Sequence, residues 1–201
     1  MRLGVLGGSF NPFHKAHLQV AIATRDQHEL DRVLLMPAAQ PPHKDTDLAP
    51  PRSRLAMVEI ATADIAGLEG ADLELQRAGP SYTVDTLVEL KRQHPGVELF
   101  FVMGSDSLLD FHSWRQPERI LELARIVVVH RPGFDFRSQS DEFHHFSEDV
   151  LLRIEKDQVK MPPSDINSTT IREAIRSGTS VAEWVPPGVL RYIEEHGLYS
   201  Q

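Results

Sequence analysis

Short apolar runs alternate along this chain with stretches whose apolar residues recur every three or four positions. Residues 2–7 (RLGVLG) read as a short buried strand ending in glycines, and residues 15–29 as a helix with Ala16, Leu18, Ala21 and Ile22 on one face. Residues 33–36 form a second apolar run, stopped by Pro37; residues 38–51, rich in proline and polar side chains, predict a loop. Residues 52–66 predict a helix with Leu55, Val58, Ile60 and Ala61 turned inward. A short strand is expected at 73–75 and a helix at 83–94, closed by Pro95 and Gly96. Residues 97–103 are nearly all apolar, as in strands covered on both faces of a parallel sheet. A proline-initiated helix at 117–124 and a buried strand at 126–129 follow, the strand ended by "HRPG". Residues 134–145 are polar, aromatic and irregular. Lys160 falls in a possible last strand, and 170–177 and 187–196 read as helices. Strands alternating with helices argue for a parallel α/β sheet with right-handed crossovers. No repeat, low-complexity tract or linker interrupts residues 1–201. One domain is expected, with a small helical C-terminal end from roughly residue 162.

Composition narrows the function only by exclusion. The 201 residues are 41% hydrophobic and 25% charged, an ordinary soluble globular balance with material for a real core. The absence of cysteine removes disulfides, thiolate metal sites and a cysteine nucleophile, and fits a reducing compartment. A net charge of −8 argues against nucleic-acid or anionic-membrane partners, although a locally basic pocket for a small anion remains open. The N-terminus is broken too soon by glycines for a signal peptide, and no apolar run nears the roughly 20 residues of a membrane span. A cytoplasmic protein is expected. No oligomeric state can be read.

The first turn, "GGSFNPFHKAH" (residues 7–17), is where chemistry concentrates. In open parallel sheets, ligands lie beyond the carboxyl ends of the strands, where strand order reverses. Glycines there permit a tight strand-to-helix turn and close backbone approach, and a helix beginning near Lys15 offers free amides and a positive dipole. His14 and His17, three apart, share one face at that helix start and suit phosphate oxygens. The G-x-G-x-x-G and G-x-x-x-x-G-K-[ST] patterns are absent, and without cysteine or a third ligand the pair is poorly suited to zinc. A second candidate, "INSTTIR" (166–172), opens a helix. Asn167, Ser168, Thr169 or Thr170 is each able to cap it, and Thr170 with Glu173 fits a capping box. Such a start, with hydroxyls and Arg172, is also an anion site.

"GSFNPFHKAH" resembles the G-x-F-x-P-x-H-x-G-H signature of the HxGH nucleotidyltransferase superfamily, and "INSTTIR" its I-S-S-T-x-I-R motif, in the same order along the chain. The resemblance implies a Rossmann-like doubly wound sheet and a triphosphate held by His14, His17, Ser168, Thr169 and Arg172. Gly8, Ser9 and Phe10 join the ATP side by the same likeness. The departures are Ala16 for glycine, whose methyl reaches toward the adenine side, and Asn167 for serine, a cap-competent exchange. "PPHK" (41–44), "SYTVDTL" (81–87) and "MGSDS" (103–107), with Trp114 and the closing "YIEEHGLY", are similar to the bacterial nicotinate mononucleotide adenylyltransferases.

That similarity implies transfer of AMP from ATP to nicotinate mononucleotide. The 5′-phosphate attacks the α-phosphate in line, pyrophosphate leaves, and Mg2+ travels on the substrate phosphates without a protein cage. His14, His17, Lys44 and Arg172 are the expected catalytic groups. Gly104 and Asp106 follow the strongest strand, where a carboxylate suits a ribose hydroxyl. Asn11, His43, Lys44, Thr83, Thr86 and Trp114 fall to the mononucleotide, with Thr83 capping its helix through Thr86 and Trp114 either stacking on the pyridine ring or simply packing inside. Arg131, His144 and His145 carry little weight, as exposed positions. Nicotinamide mononucleotide or phosphopantetheine as acceptor, or a non-catalytic nucleotide-binding regulator, are the alternatives.

Overall fold

A computed structural model of the chain describes residues 1–41, 48–129, 143, 146–162 and 164–200. Strands β1 (Arg2–Gly8), β2 (Arg32–Pro37), β3 (Leu68–Gly70), β4 (Glu98–Gly104) and β5 (Ala124–Val129) pair in parallel in the order β3-β2-β1-β4-β5. The chain builds outward from β1 to β3, then crosses back to place β4 on the other side of β1. The sheet thus has a switch point between β1 and β4, and the carboxyl ends of these two strands open on the same edge.

Alternation along each strand divides the core into two layers. Leu3, Val5, Leu99, Phe101, Met103, Ile126 and Val128 face one side. There they meet Leu87 and Leu90 of α3 (Thr83–Gln93), Ile120 and Leu123 of α5 (Pro117–Leu123), and Ile154 of α6 (Glu148–Lys156). Val33, Leu35, Phe100, Val102, Val127 and Val129 face the other, against α1 (Lys15–Gln27), α2 (Pro51–Thr62), α7 (Ser168–Arg176) and α8 (Pro187–Glu195). Each fully buried side chain of this size contributes about 1.5–3 kcal/mol. Gly4 is needed for this packing, since a Cβ there would lie 2.9 Å from both Leu30 and Val33.

The α/β reading of the sequence holds, with local corrections. The third strand is Leu68–Gly70, at the sheet edge, and residues 73–75 are a turn. Ile60 does not face the core. It is 40% exposed and instead lies against Gly188 at the start of α8, while Arg54 and Met57 turn inward. Two unanticipated helices are present, α4 (Ser105–Leu109) and α6, and a 3-10 turn spans Phe111–Ser113. Lys160 is not in a strand: Val159 makes one parallel bridge to Val129, and the Gln27 side chain holds the Lys160 backbone through bonds of 2.6 and 2.9 Å. Among the described residues, no helix is long and apolar enough to cross a membrane.

Candidate active site

A cleft of about 1270 Å³ opens at the switch point, walled by the ends of β1 and β4, the first turn and the start of α7. Its left-handed turn residue is Phe10 (φ 46°), where the sequence suggested glycine. That conformation costs about 1–2 kcal/mol in a residue with a Cβ. Burial of the Phe10 ring offsets it: the ring is 1% exposed, 5.5 Å from Phe13 and edge-on to His17 at 5.0 Å. Phe10 therefore supports the turn from the core and does not line the cleft. Gly8 is needed because a Cβ there would stand 3.0 Å from that ring; one at Gly7 would make only ordinary contact.

His14 is the N-cap residue of α1, and its ring stacks on that of His17 with centroids 3.6 Å apart and planes 19° off parallel. The His14 backbone N–H donates to His17 Nδ1 at 3.3 Å. An accepting Nδ1 places the proton of the neutral ring on Nε2, which makes His17 a hydrogen-bond donor without needing a charge. Gly8, Ser9, His14, Ala16 and His17 all line the cleft. So does Asn11, but its Oδ1 accepts from Ala49 N–H (2.9 Å) and Tyr199 O–H (2.8 Å) and first of all holds the turn together.

The second motif packs directly on the first. Asn167 caps α7, accepting from Thr170 N–H at 2.9 Å; Thr170 is thus the third residue of the helix, and the Thr170–Glu173 box does not form. Ser168 Oγ donates to the Pro12 carbonyl (3.1 Å) and Arg172 Nη1 to the Asn11 carbonyl (2.9 Å). Buried Ile171 anchors the helix in the core, which leaves Asn167, Ser168, Thr169 and Arg172 lining the cleft opposite His14 and His17. Two stretches from opposite ends of the sequence make one polar wall.

Gly104 and Asp106 line the cleft at the exit of β4. Trp114 packs against Phe101 (5.9 Å) and Phe111 (5.5 Å) and also lines the cleft. Thr83 and Thr86 are not among the lining residues. Tyr82 is the N-cap residue of α3, Thr83 is the first helical residue, and no side chain caps the helix, which corrects the expected Thr83–Thr86 cap. Thr86 is buried, donating to Glu74 Oε1 at 2.8 Å and accepting from Arg77. Burial raises the Glu74 carboxyl above its usual range, against the opposing pull of its bonds to Thr86 and Ser81 and the Arg77 charge. His43, Lys44, Arg131, His144 and His145 lie outside the described residues.

Sequence reasoning passed over Ser164 and Asp165, which line the cleft just before the second motif. It also passed over Arg54, 0% exposed, whose guanidinium donates to the carbonyls of Ser9 (2.8 Å), Ala49 (2.9 Å) and Ala39 (3.3 Å). An arginine in an amphipathic helix normally faces water, so nothing in the pattern marks it. Among the described residues, no three His, Cys, Asp or Glu side chains gather to hold a metal ion. A divalent ion carried on substrate phosphates fits such a site, because it needs no protein cage.

The cytidylyltransferase-like family model matches residues 5–174. A protein of Geobacter metallireducens named as a probable nicotinate-nucleotide adenylyltransferase is 43% identical over 213 residues, covering 100% of this chain and 99% of its own. A Thermus thermophilus protein of the same name is 42% identical over 199 residues, covering 99% of this chain and 100% of its own. Among solved structures, the Plasmodium falciparum nicotinic acid mononucleotide adenylyltransferase complexed with NaAD shares the fold at a TM-score of 0.78 and 21% identity, with 98% of this chain and 97% of that one covered. The chain belongs to the cytidylyltransferase-like nucleotidyltransferases and, within them, to the nicotinate-nucleotide adenylyltransferase family.

Proposed function

We propose that this chain transfers AMP from ATP to nicotinate mononucleotide, releasing pyrophosphate and forming nicotinate adenine dinucleotide. The observation that carries this is the joining of the two motifs across one cleft, through Ser168 to Pro12 and Arg172 to Asn11. Their union sets the amino ends of α1 and α7, two imidazoles and a guanidinium around one space, as a polyphosphate requires. The His17 Nε2–H, the Thr169 hydroxyl and Arg172 hold the triphosphate so that its α-phosphate faces the incoming 5′-phosphate, while Ser168, whose hydroxyl proton goes to the Pro12 carbonyl, fixes the start of α7 against the first turn. Displacement is in line and needs no covalent intermediate. The groups on the leaving side stabilise negative charge as pyrophosphate departs. Asp106 accepts from a ribose hydroxyl, and the cleft-facing side of Trp114 is the stacking surface for the pyridine ring. ATP arrives with a divalent ion, Mg2+ in this proposal, which offsets charge on the phosphates.

The relatives' names favour the acid over the amide as acceptor. Residues 1–201 act as one domain in this scheme, supported by α7 and α8 packing into the core layer that also holds Phe10 and Phe13 of the first turn. The cysteine-free sequence suits a cytoplasmic enzyme. Purified protein with ATP and Mg2+ should release pyrophosphate when given nicotinate mononucleotide and do so much more slowly with nicotinamide mononucleotide or phosphopantetheine. Preference for the amide would remove the nicotinate assignment, and no release with any acceptor would remove the transferase.

A further inference from the structure

The first turn is gripped through its carbonyl groups. Gly8 O accepts from Ala38 N–H (2.9 Å), Ser9 O from Arg54, Asn11 O from Arg172 and Pro12 O from Ser168. The Arg172 and Ser168 donors stand in the cleft wall, whereas the Arg54 donor is completely buried on the far side of the turn. Arg54 reaches the fourth position of α2 after a proline start, and its whole side chain is enclosed. A buried cation needs hydrogen-bond partners, and each of the three guanidinium nitrogens finds one, in carbonyls on three separate pieces of chain. One is Ser9, in the cleft wall. The other two, Ala39 and Ala49, belong to the chain leaving β2 and the chain entering α2. The Ala49 N–H closes the circuit on Asn11 Oδ1, where Tyr199 O–H also donates. A single planar fork thus ties together the turn, both neighbouring segments and, through Asn11, the C-terminal end of the chain.

We propose that Arg54 is a positioning residue for polyphosphate binding: by drawing the Ser9 carbonyl into the interior and tying it to Ala39 and Ala49, it holds the first turn in the shape that presents its cleft side to phosphate. The proposal rests on the phosphate assignment of the cleft made above. It assigns Arg54 no contact with substrate. Its direct bond to the turn is to Ser9, on the ATP side of the cleft, and it reaches Asn11 only through Ala49, so its effect should fall mainly on the polyphosphate and much less on the mononucleotide. Lysine keeps the charge but replaces a fixed fork by one point donor, which cannot serve three carbonyls in different directions. Tyr199→Phe removes one of the two donors to Asn11 Oδ1 from a less enclosed position.

The test uses the full chain and inorganic tripolyphosphate as the calorimetric probe, with Tm recorded for every variant and KM for ATP and for nicotinate mononucleotide measured in parallel. Arg54→Lys should weaken tripolyphosphate binding and raise the ATP KM by about tenfold, Arg54→Met by more than about thirtyfold, and Tyr199→Phe by about threefold. The mononucleotide KM should stay within about twofold in the Arg54 variants, since Arg54 bonds the turn directly at Ser9. If Arg54→Met does not fold, Arg54→Lys and Tyr199→Phe carry the test. A folded Arg54→Lys that binds tripolyphosphate within about twofold of wild type overturns the proposal, as does an equal rise in both KM values, which marks a general packing defect. Wild-type protein that does not bind tripolyphosphate overturns the phosphate assignment itself, before any variant is considered.

Discussion

At the scale of single residues, His17 shows how one bond serves fold and chemistry together. Its Nδ1 accepts the His14 backbone N–H, which ties the first turn of α1 and leaves Nε2 as the donor. Asparagine can keep the acceptor near the Nδ1 position but has nothing to place at Nε2. His17→Asn should therefore lower turnover by about 10²- to 10³-fold, the usual effect of losing one preorganised donor, with Tm within a few degrees of wild type. His17→Ala also loses the stack on His14 and the contacts to Phe10 (5.0 Å) and Phe13 (5.3 Å), so it should cost a further ~1 kcal/mol of stability. Near-normal turnover in His17→Asn would dismiss the Nε2 role. Residues of this kind were legible because histidine at a helix start beside a glycine turn has few other uses. Arg54 was not, nor was the part Asn11 plays in holding the turn together. Their importance comes from partners distant along the chain, and an arginine in α2 looks from sequence like any exposed one.

At the scale of elements, α7 was visible in advance as a capped helix start, and only the choice of cap was open. Asn167 takes that place and leaves the hydroxyls of Ser168 and Thr169 for the cleft wall. Asn167→Ala should destabilise by ~1 kcal/mol and raise the KM for ATP, because the frayed first turn carries Ser168 and Thr169; Asn167→Ser should restore both. Thermal unfolding with ATP-dependent kinetics checks this. An unchanged ATP KM despite a lowered Tm would separate the cap from the site. Elsewhere, legibility followed length. The long apolar run of β4 was placed to within a residue, while β3, three residues at a sheet edge, was mistaken for the next short apolar stretch. Helix α6 carries Val150, Leu151 and Ile154 toward the core, but at nine residues with a largely charged outer face it offers a short apolar pattern directly after an irregular polar stretch.

At the scale of the whole molecule, α1 links the cleft to the opposite edge of the sheet. Its start carries His14 and His17, and its end, at His28, joins a charged cluster. There Arg125 pairs with buried Asp157 at 2.6 Å and with Glu98 at 3.2 Å, and Arg2 and Arg125 each lie 5.0 Å from the Phe100 ring. Alternating strands and helices announced the layers, but no local pattern announces Arg125 meeting Asp157 or Gln27 meeting Lys160, since each pair is brought together only by the strand order. The cluster gives the molecule a pH-dependent edge. Burial holds the His28 imidazole below its usual 6.5; Asp157 pulls it back up, and Arg125 and Arg2 push it further down. The unfolded chain therefore binds this proton more readily than the folded one. The stability His28 contributes is complete above pH 6.5 and is lost as the pH falls through its lowered folded value. Among the described residues its buried Nε2 has no hydrogen-bond partner, and burial outweighs the bond to the Asp157 backbone that favours the charged form. Tm should accordingly hold steady from pH 7.5 to about 6.5 and decline toward pH 5, while His28→Gln, which cannot take up the proton, should flatten that decline. Parallel curves for the two proteins would assign the acid sensitivity to the carboxylates instead, and would leave the helix that carries His14 and His17 anchored independently of pH at its far end.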